Sequence, residues 1–148
     1  MPRIAKSLKA MKSATRRSLT LGGVFLGAVA TAMLTATPAA AATTHYGDVT
    51  WYNPSVGIGA CGQWHGDNEL VAAVSPQVYG SYPNPNNSPV CGRTLWVYGP
   101  NSLDGVAVKV VDRCARCAAN DVDLSPAAFS RLADLGVGRF KTYWIEYN

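Results

Sequence analysis

The sequence predicts an all-β domain, stiffened by disulfides and carrying one short helix, behind a removable leader. Three observations predict it. Runs of β-branched and aromatic residues recur from Val49 onward, punctuated by Gly, Pro and Asn turns. Only one segment offers a helix start, body and stop in order, beginning at Ser125. All four cysteines lie at or beyond Cys61.

Residues 1–42 have the three parts of an export signal. Arg3, Lys6, Lys9, Lys12, Arg16 and Arg17 form a basic region without an acid. Leu19 to Leu34 is apolar, and Thr35 to Ala42 is made of small residues around Pro38, which stops a helix there. Cleavage is expected after Ala41 or Ala42, leaving 43–148 as the domain. The apolar run falls short of the ~20 residues a membrane span needs. Arg16-Arg17-Ser18-Leu19 resembles a twin-arginine signal, but ordinary leaders also carry paired arginines, and both export routes stay open.

Removing the leader reverses the charge. The chain has 13 basic and 9 acidic residues, net +4. Six of the basic residues and none of the acids precede residue 43, so 7 basic face 9 acidic residues in the domain, net −2. The basic isoelectric point belongs to the precursor and carries no nucleic-acid reading. The expectation is an extracellular monomer with no nucleic-acid partner and no membrane after processing.

The strands follow in order. Val49-Thr50-Trp51-Tyr52 opens the domain. Leu70 to Val74 is a short apolar run of the buried kind. Arg93 to Tyr98 is ended by Gly99-Pro100. Gly105 to Val111 alternates, with Val106, Val108 and Val110 on one face and Lys109 on the other. Phe140 to Tyr147 closes the chain with aromatics. Ser75 to Gly80 fits a single turn, and Tyr82 to Pro89 is a turn-rich loop. In the helix, Ser125 is the cap, Pro126 takes the first position, and Ala127 to Leu135 carries Phe129 and Leu132 inward before Gly136.

Cys61, Cys91, Cys114 and Cys117 are an even set in an exported small domain, which reads as two disulfides. Four cysteines allow three pairings, and the sequence-local choice is Cys61–Cys91 with Cys114–Cys117. The first closes a loop of roughly 30 residues, worth ~3.5 kcal/mol in the chain-entropy account. Cys114-x-x-Cys117 also has zinc-ligand spacing. The other two cysteines are not spaced as a second knuckle, however, and an exported domain meets oxidising conditions. A thioredoxin-like redox pair lacks a surrounding βαβ pattern. Neither a metal nor a cofactor is expected.

Three ordered pieces carry a family resemblance. They are Gly59-Ala60-Cys61-Gly62 after a strand, Val110-Val111-Asp112-Arg113-Cys114, and Asp123-Leu124-Ser125 opening a helix with Phe129, followed by Gly138 and a closing strand. Together, over about Tyr46 to Tyr147, they resemble the expansin, barwin and RlpA-like superfamily. That resemblance implies a six-stranded double-psi β-barrel with one short α-helix. Leu70 to Ser75, the Asn/Pro-rich loop before Cys91-Gly92, and Val110 to Cys117 look like small single-domain secreted members. Papain inhibitors of actinomycetes are among these, and fungal barwin-like proteins look similar.

The resemblance implies two functions. In the first, an expansin-like protein binds or cleaves cell-wall polysaccharide with Asp123. Asp123 takes the place of the Asp in the expansin His-Phe-Asp motif, with Asp121 and Val122 in the other positions. Asp112 is the second candidate carboxylate, and Thr50 and Tyr52 fit the accompanying polar pair. Glycoside hydrolysis normally uses two carboxylates. Barwin-type endoglucanases place one just after the first strand, where this chain has Asn53-Pro54-Ser55. RlpA-type transglycosylases need a His after an Ala-Ala pair, where this chain has Val74. Both patterns lack a member. Asp123 also reads as a carboxylate serving a helix start, Asp112 as an acceptor for Arg113 or loop amides, and His45 and His65 as solvated surface residues.

In the second, a non-enzymatic inhibitor occludes the cleft of papain-like cysteine proteases, with trypsin-like serine proteases as secondary targets. Such an inhibitor needs a loop that loses little entropy on docking. Asn53–His65, tied at Cys61 and carrying Gln63, Trp64 and His65, is one candidate. Cys114–Ala118, carrying Arg116 of the type trypsin-like enzymes select, is the other. Of Trp51, Trp64, Trp96 and Trp144, Trp64 is the best placed for an exposed contact. Gln63 is also the candidate acyl donor for a transglutaminase.

Overall fold

A computed structural model describes residues 42–101 and 104–147, with Tyr147 described by its backbone alone. The expected leader, up to residue 41, lies outside the described residues. Six strands are formed: β1 Ala42–Trp51, β2 Val71–Val74, β3 Thr94–Tyr98, β4 Gly105–Arg113, β5 Val122–Leu124 and β6 Arg139–Tyr147. They close into a barrel in the order β1-β5-β2-β4-β3-β6. β1 runs parallel to β5, and β2 runs parallel to β4. Parallel neighbours cannot be joined by a hairpin. The chain therefore crosses the barrel between each pair, as the double-psi expectation requires.

Period-two alternation fills the interior. Val106, Val108 and Val110 of β4 point inward, whereas Lys109 is exposed. Val49, Val122 and Leu124 meet them, with Leu95, Phe129 and Trp144 as large fully buried side chains. Trp144 satisfies its indole N–H by donating to the Asn120 carbonyl at 2.8 Å. β2 is buried along its whole length, which is why it reads as a continuous apolar run rather than an alternating one.

Four expectations change. β1 begins at Ala42, well before Val49, because Ala42 to Thr50 pairs antiparallel with Tyr147 to Arg139. β5 is a separate three-residue strand between β1 and β2. The helix expected to reach Leu135 stops at Phe129 as α2, Pro126–Phe129. Beyond it, the Arg131 and Leu132 amides bond only three residues back. Asp134 is extended at φ −61°, ψ 141°. Trp51 Nε1 takes the Leu135 carbonyl at 3.1 Å, so the segment descends in turns toward Gly138, which at φ +69° redirects it into β6. The Ser75 turn forms α1, Pro76–Tyr79, so the described residues hold two four-residue α-helices where one was expected. Ser75 and Ser125 cap them through the Val78 and Ala128 amides.

Cys61 is bonded to Cys91, and Cys114 to Cys117. The first disulfide ties the loop after β1 to the turn before β3. The second closes a four-residue loop at the end of β4.

Candidate functional site

One level of the barrel wall carries a row of outward side chains. Arg139 pairs with Thr50, Thr50 with Asp123, Asp123 with Ala73, and Ala73 with Asp112, across β6, β1, β5, β2 and β4. Their chain neighbours Val49, Val122 and Val74 point into the core. Ala73, between the two acids, contributes only a methyl group. Asp112 and Asp123 are thus two strand spacings apart, roughly 10 Å at the backbone.

The two acids are held differently. Asp123 accepts from the Thr50 hydroxyl at 2.6 Å. Burial pushes its carboxyl above the ordinary value of 3.8, and the nearby Asp112 charge adds to that; the Thr50 bond and the Arg139 charge pull the other way, and burial wins. Ser125, not Asp123, caps α2, so the helix-start role is taken by another residue. Asp112 Oδ1 accepts from the Ala60 and Arg113 amides, both at 2.7 Å. It fastens the loop before Cys61 to the end of β4. The Tyr52 hydroxyl is buried with no hydrogen-bond partner among the described residues. Burial drives its titration well above its ordinary value, reinforced by the charges of Asp112, Asp123 and Asp67.

The Cys114–Cys117 loop forms the far wall. With Thr50, Trp51, Arg116, Asp123 and Arg139 it lines a cavity of about 520 Å³. Both sulfurs and an Asp123 carboxylate oxygen lie within 4.8 Å of one another.

A second feature stands apart from this groove. Residues 53–65 fold back on themselves, Ile58 bridging to Trp64 and the Gly59 amide donating to the Gln63 carbonyl at 3.1 Å. Trp64 Nε1 donates to the Ser55 carbonyl at 3.0 Å. Asp67 accepts from the Ser55 amide and from Asn53 Nδ2, which together hold its carboxyl below the ordinary range. The Cys61 amide reaches the Val111 carbonyl at 3.2 Å. Gly59 lies so close to β4 that a Cβ there would sit 2.5 Å from the Val111 carbonyl oxygen. The loop is anchored along its length, yet Val56, Ile58 and Trp64 are 86%, 74% and 60% exposed.

The structure therefore sorts the sequence-derived candidates into two groups. Arg116 joins Asp123 in the groove. Gln63 and His65 share a smaller hollow with Lys109, and Gln63 is exposed. Asp112 stands on the same strand row as Asp123 and holds the 53–65 loop through the Ala60 amide. The histidines are not the solvated residues expected. His65 is half-buried, its Nδ1 2.9 Å from Glu69 Oε2. His45 stacks on Trp144 with ring centroids 3.8 Å apart. Sequence reasoning missed Val56 and Ile58, whose only signal is apolar character in a Gly- and Pro-rich loop. It also missed Arg139, which reaches the site by strand pairing alone.

No protein-family model matches the chain. The papain inhibitor of Streptomyces mobaraensis is 36% identical over 92 residues, 62% of this chain and 63% of that protein, so the match spans less than two thirds of that relative. An EG45-like domain containing protein of Citrus jambhiri is 31% identical over 130 residues, 81% of this chain and 92% of that protein. Among solved structures, the Streptomyces papain inhibitor superposes with a TM-score of 0.64 at 31% identity, covering 72% of this chain and 96% of its own. A mutant Clavibacter michiganensis expansin in complex with cellohexaose gives 0.60 at 27% identity, covering 72% of this chain and 51% of its own. A closed six-stranded barrel with two parallel strand pairs, shared with these relatives, places the chain in the double-psi β-barrel superfamily, alongside the papain inhibitor, EG45-like and expansin proteins.

Proposed function

We propose that this protein is a secreted, non-enzymatic inhibitor of papain-like cysteine proteases that fills the protease cleft without covalent reaction. The anchored 53–65 loop carries this reading. It presents Val56, Ile58 and Trp64 to solvent while a disulfide, Asp112 and Asp67 fix its backbone. Ordering a mobile side chain on docking costs roughly 0.5–1.5 kcal/mol, so a loop fixed in advance binds more tightly. Exposed aromatic anchors are the common hot spots of such interfaces. Similarity to a papain inhibitor supplies the protease class. Trypsin-like proteases are secondary targets, because Arg116 is exposed at the tip of the Cys114–Cys117 loop. Residues 1–42 act as the export leader, cut after Ala41 or Ala42, which N-terminal sequencing of the exported protein checks.

The deciding experiment incubates the processed domain with papain and trypsin, and separately with peptidoglycan and cellulose. Inhibition of papain with no glycan release supports this reading. Unchanged papain activity at micromolar excess overturns it. Gln63, exposed near the loop apex, is in this reading also a transglutaminase acyl donor; an amine probe should label Gln63, and Gln63→Asn should remove that label.

A second reading is favoured by the groove around Asp123 and by similarity to an expansin complexed with cellohexaose. Here the protein binds or cleaves wall polysaccharide through Asp123, with Arg139 and Thr50 beside it. Asp123→Asn separates the two. It should abolish a wall-directed activity and leave papain inhibition intact.

A further inference from the structure

Asp123 has no task in the inhibitor, yet its carboxylate lies within 4.8 Å of both sulfurs of an accessible disulfide. We propose that Cys114–Cys117 is a redox-active disulfide that exchanges with external dithiols, and that Asp123 carries the proton for that exchange. The βαβ setting of thioredoxin-like pairs is absent from this barrel, but a carboxyl beside the sulfurs serves the same chemical need.

The two disulfides differ in what holds them. Cys61 and Cys91 pack against the hydrophobic core, and the Tyr79 hydroxyl lies 3.8 and 3.4 Å from their sulfurs. Cys114 and Cys117 are outside that cluster, half-buried, with exposed Ala115 and Arg116 between them. The Cys114 amide is held by the Val74 carbonyl at 2.9 Å, so one cysteine stays fixed to β2 when the bond opens. Opening the second disulfide removes no core contact. Arg116 lines the same cavity, and a cation near a cysteine favours its thiolate.

The exchange balances as follows. A thiolate of the external dithiol attacks one sulfur of the pair. The S–S bond breaks, its electron pair leaves on the other cysteine as a thiolate, and a mixed disulfide forms. The second thiol of the dithiol loses its proton and attacks its own sulfur in that mixed disulfide, releasing the second cysteine thiolate. The dithiol is oxidised to a disulfide, and Cys114 and Cys117 are reduced by two electrons. Protonated Asp123 donates to the departing thiolate, and in reverse its carboxylate takes a proton from the thiol. Groups facing Asp123 are the Thr50 hydroxyl from β1, Arg139 from β6, Asp112 from β4, the Tyr52 phenol and Arg116 from the loop. Burial raises the carboxyl toward the thiol range, which brings donor and acceptor closer in strength.

The test uses the oxidised, processed protein in graded dithiothreitol and in glutathione buffers, quenched by alkylation and mapped by mass spectrometry. Cys114–Cys117 should be reduced at least about tenfold faster than Cys61–Cys91, with the circular dichroism unchanged. The reduction rate divided by the reductant's thiolate concentration should still depend on pH across roughly pH 4 to 8. Asp123→Asn should flatten that dependence without changing the rate at Cys61–Cys91, and Asp123→Glu should restore it. Reduction of both disulfides together, with loss of fold, overturns the proposal. So does an unaltered pH profile in a folded Asp123→Asn variant. The wild-type selectivity stands as a test even without a variant, and none of these outcomes depends on protease inhibition.

Discussion

The Thr50 hydroxyl donates to Asp123 at 2.6 Å across the parallel β1–β5 pair, and this bond opposes what burial does to the same carboxyl. Asp123 is thus a half-buried acid steadied by one neighbour.

Thr50→Val should raise the Asp123 titration further, because the bond it removes favours the ionised form. The cost at neutral pH should be about 1–2 kcal/mol, the range for a hydrogen bond to a charged group discounted for partial exposure. Carbon-detected NMR titration of the carboxyl measures the first effect, and denaturant unfolding the second. Asp123→Asn should do the reverse for stability. The folded carboxyl titrates above its ordinary value of 3.8, so its contribution is full below that value and is lost as pH rises through the folded one. The variant should therefore melt higher than wild type near pH 7, and the gap should close as pH falls toward 3.8.

Asp48 should show the opposite sign. Hydrogen bonds from Arg139 at 2.8 Å and Lys141 at 3.0 Å hold its carboxyl below 3.8. Its contribution is present above 3.8 and is lost as pH falls through the folded value. Asp48→Asn should cost less than about 1 kcal/mol near neutral pH, as expected for partly exposed ion pairs, and nothing in strong acid. Thermal melts at several pH values distinguish it from Asp123→Asn.

Asp112→Ala leaves the Ala60 and Arg113 amides without their acceptor, at a cost of about 1–3 kcal/mol. The 53–65 loop should loosen, and papain inhibition should weaken through faster dissociation. Trp64→Ala should weaken inhibition by more than about tenfold while leaving stability nearly unchanged, because this side chain is 60% exposed. Stopped-flow and denaturation measurements on both variants separate loop rigidity from contact.

Arg116→Ala should reduce inhibition of trypsin far more than inhibition of papain. The residue lines the Asp123 groove and is no part of the 53–65 loop. Equal losses against both proteases would show that one loop serves both.

β4 and β3 were legible because each repeats inward and outward residues over several positions, and short windows detect that period. β5 was not, since three residues hold barely one period and its strand character comes from partners far upstream, Thr50 and Ala73 opposite Asp123. Polar Thr43, Thr44 and His45 disguised the first half of β1, which is a strand because β6 lies beside it. The helix was overextended because apolar spacing continues through Leu132, whereas the Trp51 bond to Leu135 is invisible to any local window. In the site, Asp123 followed from motif order, and the cysteine pairs from their even count and spacing along the chain. The partnership of Arg139 with Thr50, and the stacking that withdraws His45 from solvent, are products of barrel closure.

The pairing of β1 with β6 orders events in time. The first strand's longest ladder is to the last strand, Ala42 opposite Tyr147 through Thr50 opposite Arg139. A chain emerging amino end first must keep Ala42 to Trp51 waiting until Arg139 to Tyr147 arrives, so closure cannot precede the synthesis of β6. Such sequence-distant contacts also slow folding, since the entropy of the intervening loop is lost before the ladder forms. Once closed, the ring gives each of its six strands a neighbour on both sides, so the risk of edge pairing with a second molecule falls when β1 and β6 meet.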